Sequence, residues 1–343
     1  MRSLFPKSKL LLISVMFLGL TVGEKLYSQD VHFTQFDASP LSLNPANTGN
    51  FSGFWRFSAN FRSQWRILDY PFTSYSAGFE RNFIDKGAPM SAGIYLLHDE
   101  AGQAELAYDK VLLSYSISVG KESNKWNFGI QPGFVTKKLN SSKLTFPNQY
   151  NGNSGLHDPN APNGENIANN KSYFDLNAGV AFQRVWGKTV LKAGLAGFHL
   201  IQPNESLTGN ESKTPIRKVF HISYAFPIST NLSLMPKILI HEQIKASEYI
   251  GGTYFIAMLP PNSPNIQSVF AGVLGRFGVN RNLDAIMGVV GINYERWDFG
   301  ISYDINTSSL KTSTQGRGAI ELSIIFWNGQ VRTNRTTIIC ERF

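Results

Sequence analysis

The residues able to do chemistry are few and poorly spaced for it. Six histidines (His32, His98, His157, His199, His221 and His241) are dispersed along the chain, without the close intervals by which a helix or tight loop presents metal ligands. Asp99 and Glu100 are adjacent, but glycoside hydrolysis needs two carboxylates held across a bond, which adjacency does not provide. The Gly-x-Ser-x-Gly elbow of a serine hydrolase is absent, as are a phosphate loop and a dinucleotide fingerprint. The lone cysteine, Cys340, permits neither an intramolecular disulfide nor a thiolate metal cluster. The expectation is a non-enzymatic protein using no cofactor and no metal.

The side chains that remain are suited to turns and contacts. In Asn44-Pro45-Ala46-Asn47-Thr48-Gly49, proline removes a donor and fixes φ, asparagine tolerates turn geometry and glycine permits positive φ. The segment reads as a specified turn, or as a docking surface presenting Asn44, Pro45, Asn47 and Gly49 to a periplasmic partner. His199, next to Gln202-Pro203-Asn204, reads as a hydrogen-bonded rim residue and a candidate contact. The stretch 139–170 is rich in Asn, Gly and Pro, with Asp158 and Asn160 in its least structured part. A connection of this length is usually functional or disordered; here it reads as either a plug or a protein-binding surface. Arg332 and Arg335 lie in a basic tail, read as a frayed end or as a periplasmic contact.

The elements that must position these residues follow a period of two. Phe57, Ala59 and Phe61 share one parity, and Arg56, Ser58, Asn60 and Arg62 the other. Val111, Leu113, Tyr115 and Ile117 alternate with Leu112, Ser114 and Ser116; Trp297, Phe299, Ile301, Tyr303 and Ile305 alternate with Asp298, Gly300, Ser302, Asp304 and Asn306. Alternation puts each set on one face of a pleated strand. About fourteen segments behave this way, each long enough to cross a bilayer at a tilt. They lie near 52–64, 72–83, 88–99, 106–120, 124–138, 171–186, 188–202, 216–228, 230–243, 246–259, 266–278, 281–294, 296–307 and 316–327. Charged residues make up only 16% of the 343 and aromatics 13%, while mean hydropathy is −0.15. An apolar band facing lipid around a polar lumen gives that mixture.

At the N-terminus, Arg2, Lys7 and Lys9 precede an apolar run from Leu10 to Val22, and Leu26-Tyr27-Ser28 suits cleavage before Gln29. This is the pattern of a secretory signal peptide, residues 1–28, and it implies export. No later run offers the roughly 18 apolar residues of a spanning helix. The net charge of +8 is spread without a block of like charges, so nucleic acid is not an expected partner. If residue 29 starts in the periplasm, the long stretches 139–170, 203–215 and 308–315 all fall outside, matching the usual asymmetry of long outer loops and short periplasmic turns. The tryptophans near strand ends (Trp55, Trp65, Trp126, Trp186, Trp297 and Trp327) suit interfacial belts. The expected fold is all-β: a single closed antiparallel transmembrane β-barrel of outer-membrane type over 51–327. A periplasmic segment 29–50 would precede it, and a periplasmic tail 328–343 would follow.

Several segments, in register along the mature chain, resemble the PorP/SprF family of type IX secretion. They are Asp30-Val31-His32-Phe33-Thr34-Gln35-Phe36, Leu43-Asn44-Pro45-Ala46-Asn47-Thr48-Gly49, Pro71-Phe72-Thr73-Ser74-Tyr75, Leu97-His98-Asp99-Glu100-Ala101-Gly102 and Lys143-Leu144-Thr145-Phe146-Pro147-Asn148-Gln149. Further on come Tyr173-Phe174-Asp175-Leu176-Asn177-Ala178-Gly179-Val180, Phe198-His199-Leu200-Ile201-Gln202-Pro203-Asn204, Ile301-Ser302-Tyr303-Asp304-Ile305 and Gly318-Ala319-Ile320-Glu321-Leu322-Ser323. Val31 departs from the family's common proline, and Ala319-Ile320 from its Ser-His. The resemblance implies an outer-membrane accessory of type IX secretion and gliding motility. Its partners would be that machinery and a cognate secreted surface protein such as an adhesin, while the barrel itself implies membrane lipid and the basic tail a periplasmic contact such as a peptidoglycan-associated lipoprotein. The residues themselves leave open a second reading, a passive diffusion channel or uptake porin for small solutes.

Overall fold

The computed structural model describes residues 30–328 apart from 68, 86–87, 122, 151, 153–154, 159–160, 163, 245, 261–262, 264, 279–282 and 310. The expected leader 1–28, Asn160, and the tail with Arg332, Arg335 and Cys340 lie outside the described residues. The described residues from Val31 to Asn328 belong to one compact unit.

Fourteen antiparallel strands close into a barrel in chain order, the last pairing with the first. They are β1 Trp55–Gln64, β2 Phe72–Asp85, β3 Ala88–Ala101, β4 Leu106–Lys121, β5 Asn124–Lys138, β6 Asn170–Trp186, β7 Thr189–Phe198, β8 Arg217–Pro227, β9 Leu232–Gln243, β10 Ala246–Met258, β11 Ile266–Gly278, β12 Leu283–Tyr294, β13 Trp297–Asn306 and β14 Arg317–Asn328. Closure leaves no edge of unpaired backbone groups, the condition for strands to survive in hydrocarbon. No described helix is long and apolar enough to cross a membrane.

The alternation is read out faithfully. Along β13, Trp297, Phe299, Ile301, Tyr303 and Ile305 are exposed, and Asp298, Gly300, Ser302, Asp304 and Asn306 are buried. The exposed apolar residues of the other strands, such as Val111, Leu113, Phe128, Phe134 and Val273, continue the same outer surface. Trp55, Trp126, Trp186 and Trp297 gather at one end with Phe79, Phe182 and Phe326. Trp327 departs from the expected belt: it faces inward, 1% exposed, because it shares the inward parity of Glu321, Ser323 and Ile325.

All three long connections, 139–169, 199–216 and 307–316, leave the same end of the barrel. That loop end is the extracellular one in barrels of this type, and the opposite, turn end faces the periplasm. Strand β7 stops at Phe198, short of the expected 202, because His199 and Gln202 take left-handed φ values of 57° and 47°.

Two expectations about the interior do not hold. The lumen is not uniformly polar: Met235, Leu239, Ile250, Tyr254, Ile256, Phe270, Leu274, Met287 and Val289 of β9–β12 form a buried apolar cluster. Nor is 29–50 a free periplasmic segment. From Phe33 to Thr48 nearly every residue is buried, and Phe36 and Leu43 pack into that apolar cluster. The chain before β1 lies inside the barrel.

Candidate functional site within the barrel lumen

The buried segment is short helical turns strung together: a 3-10 turn Phe36–Ala38, one helical turn Pro40–Leu43 and a 3-10 turn Pro45–Asn47. Prolines at the first positions of the last two start them without wasting a donor. Elements this small leave many backbone groups unpaired within themselves, so the barrel wall must satisfy them.

At the loop end, the amides of Thr34 and Gln35 both donate to the Glu321 carboxylate at 2.8 Å. Arg62 donates to Asp304 at 3.0 Å, to Glu321 at 3.2 Å and to the Thr34 hydroxyl at 2.7 Å. The Thr34 hydroxyl in turn donates to Asp304 at 3.0 Å, and Arg276 reaches the same carboxylate at 3.4 Å. Two guanidiniums thus face two carboxylates in a closed space, the balance that buried charges require. Below them, Lys237 of β9 donates to Asp37 at 2.8 Å and lies over the Tyr254 ring at 3.3 Å.

Deeper in the lumen, Asn44 caps the last turn by accepting from the Ala46 amide at 2.8 Å. Its side-chain amide donates to the carbonyls of Val180 and Leu195, paired residues of β6 and β7, at 3.1 and 3.2 Å. The turn can come this close because the wall there is glycine. A Cβ on Gly179 would fall 2.0 Å from Asn44 Oδ1, and one on Gly129 would fall 2.4 Å from the Pro45 carbonyl. At the turn end, Gly49, with φ +71°, donates its amide to Glu80 at 2.8 Å, and Glu80 also receives Arg56. The segment therefore descends through the lumen from loop end to turn end before entering β1.

Asn44, Pro45 and Asn47 are buried in this plug and Gly49 is half-buried, so their neighbours are barrel strands rather than a periplasmic partner surface. His199 is buried too: its ring sits 2.9 Å from Asp175, and its amide donates to Asn177, whose side chain donates to Gln131. It braces the end of β7 instead of presenting a rim contact. Asp158 is exposed in the outer connection, its amide donating to Gln149. The contacts of that connection's described residues run to the other outer loops rather than into the lumen. Asn140 donates to the Ala104 carbonyl, Lys143 pairs with Glu105, and Ala168 donates to Leu207, so it lies over the loop end against its neighbours. The hydrogen bond from Lys143 holds the Glu105 carboxyl below its ordinary range.

Residues separated along the chain thus meet in the lumen: Thr34 and Gln35 on Asp304 and Glu321, Asn44 on Gly179 and Val180, His199 on Asp175. A family model described as type IX secretion system membrane protein PorP/SprF matches residues 25–326. The chain belongs to the PorP/SprF family. As a member of it, the protein is an outer-membrane component associated with type IX secretion, and the family-like segments around Asn44, Gly179, Asp304 and Glu321 help to form or seat the plug. No curated protein matches the sequence. Among solved structures, this PorP/SprF barrel is similar to the Ralstonia pickettii toluene transporter TbuX, at 10% identity over 84% of this chain and 92% of that one, with a TM-score of 0.49. It is also similar to a mutant of the monoaromatic hydrocarbon channel TodX (10% identity, 83% and 93% covered, TM-score 0.48) and to a Pseudomonas aeruginosa FadL homologue (9%, 82% and 92%, TM-score 0.43). The likeness is one of fold.

Three signals were out of reach for sequence reading. Arg62, Asp304 and Glu321 carried the inward parity, but nothing local showed that a plug would meet them. The glycine bed at Gly129 and Gly179 was visible only as strand glycines. His32, His241 and Glu248 converge in space from positions more than 200 residues apart along the chain for the first and last.

Proposed function

We propose that this protein is a closed, non-enzymatic accessory of type IX secretion that holds or passes a cognate surface protein at its extracellular loops. The observation that carries this reading is the filled lumen: a barrel threaded by its own N-terminal segment suits a platform better than a passive pore. The platform is continuous. Glu205 of the 199–216 connection receives Lys137 and Tyr108 from β5 and β4, and Leu207 receives Ala168. Asp158 and Leu156 lie exposed on the surface of this platform. The periplasmic contact, with the secretion machinery or a peptidoglycan-associated lipoprotein, falls to the turn end and the tail with Arg332 and Arg335, since Asn44 to Gly49 are occupied. A diffusion channel is the competing reading, and the plug counts against it.

Purification of the cross-linked protein from native envelopes tests the proposal. A large secreted surface protein and secretion components should be recovered with it. Recovery of the barrel alone, under conditions that retain other envelope complexes, would contradict it.

A further inference from the structure

We propose that His32, His241 and Glu248 form a site for a divalent transition metal of the zinc type, which fastens the start of the plug to the barrel wall. His241 and Glu248 are directly opposed across the β9–β10 hairpin, so their side chains leave the same face of the sheet near the loop end. His32 comes from the plug, one residue before the buried Phe33. Its Nε2 lies 3.1 Å from Glu248 Oε1, and its ring meets that of His241 edge-on at 5.8 Å between centroids. One ligand atom from each of the three residues falls within 4.8 Å of the others.

The chemistry of the cluster fits a cation. Neither His32 Nε2 nor Glu248 Oε1 makes a hydrogen bond, although both atoms are buried. In the tautomer that carries its proton on Nδ1, His32 turns the Nε2 lone pair toward the Glu248 carboxylate, an arrangement that a shared metal ion resolves. With bonds of about 2.0–2.2 Å, the ligand atoms of a tetrahedral zinc stand about 3.3 Å apart. The His32–Glu248 edge already matches, and a rotation of His241 closes the rest. Two imidazoles and a carboxylate are a zinc donor set with a fourth position left for water, whereas calcium and magnesium favour all-oxygen shells. The side chains of His32 and Glu248 are 20% and 14% exposed, so the cluster is not sealed from solvent. The nearby guanidinium of Arg276 is already committed to Asp284 and Asp304. Because the ligands come from both plug and wall, the ion would bind only the plugged state and stabilise it by mass action.

Cobalt serves as the probe, since tetrahedral Co²⁺ absorbs in the visible. The full chain, purified in detergent and stripped with chelator, should bind one Co²⁺ per molecule with that absorption, displaced by Zn²⁺. His32→Ala, His241→Ala and Glu248→Gln should each weaken binding roughly tenfold or more. His157→Ala, an exposed histidine of the outer connection, should leave it unchanged. Heat-modifiable gel migration of each variant shows that the barrel is still closed. No stoichiometric binding, or binding that survives all three ligand substitutions or is lost with His157→Ala, overturns the proposal.

Discussion

Arg62 stands between Asp304 and Glu321 where water is excluded, and the plug's Thr34 and Gln35 complete the cluster. Replacing Arg62 with alanine leaves buried Asp304 with Arg276 as its guanidinium partner and buried Glu321 with the amides of Thr34 and Gln35. Removal of one partner from such a buried set costs about 3–5 kcal/mol. The expected outcome for Arg62→Ala is a lower temperature for the heat-modified gel transition; an unchanged transition would mean that the cluster does not hold the fold. Parity in β1 and β13 was enough to place Arg62 and Asp304 on the inner face. Their partner at Thr34 was not legible, because 270 residues separate it from Asp304 and only the closed barrel brings the two together. Gly49 was legible as a positive-φ turn, and its carboxylate partner Glu80 was not.

At the scale of single strands, β13 separates the lipid face from the plug face. Ile301, 51% exposed at the middle of the strand, should cost roughly 2–4 kcal/mol when changed to arginine. An inward substitution such as Ser302→Arg is expected from alternation alone to be much milder. The structure alters that expectation, since the Ser302 hydroxyl accepts from Gln35 and an arginine there must push against the plug. Comparing the unfolding transitions of the two variants checks this, and a mild Ser302→Arg would place the plug farther from β13. On β5, Gly129→Ala should displace the Pro45 turn while leaving the strand ladder paired; a wild-type plug in that variant, judged by its protection from added protease, would count against the close approach. Strand positions were readable because exposed and buried residues alternate so regularly. The ends of β1 and β7 were less so. Phe54 donates to the Asn328 carbonyl and accepts from the Asn82 amide just before β1 begins at Trp55, and His199 turns the chain out of the sheet.

At the scale of the whole molecule, the outer wall carries the apolar side chains, the N-terminal segment fills the lumen, and the proposed function gives the loops to other proteins. Removing 151–164 from the outer connection should leave the barrel assembled, because surface loops carry no ladder hydrogen bonds and shorter closure costs little. The same deletion should reduce display of the cognate surface protein, measured on intact cells; normal display would move the binding surface elsewhere. The barrel and its loop asymmetry were readable from the period and the connection lengths. The plug was not, because a run of turn-forming residues before β1 looks the same whether it hangs in the periplasm or folds inward. The measurement that bears most directly on the whole account is conductance of the purified full chain in planar bilayers. The closed reading predicts no steady current from the native chain, with openings appearing when Gly129→Ala displaces the plug. A wide and stable conductance from the native chain would contradict it and put the diffusion channel in its place.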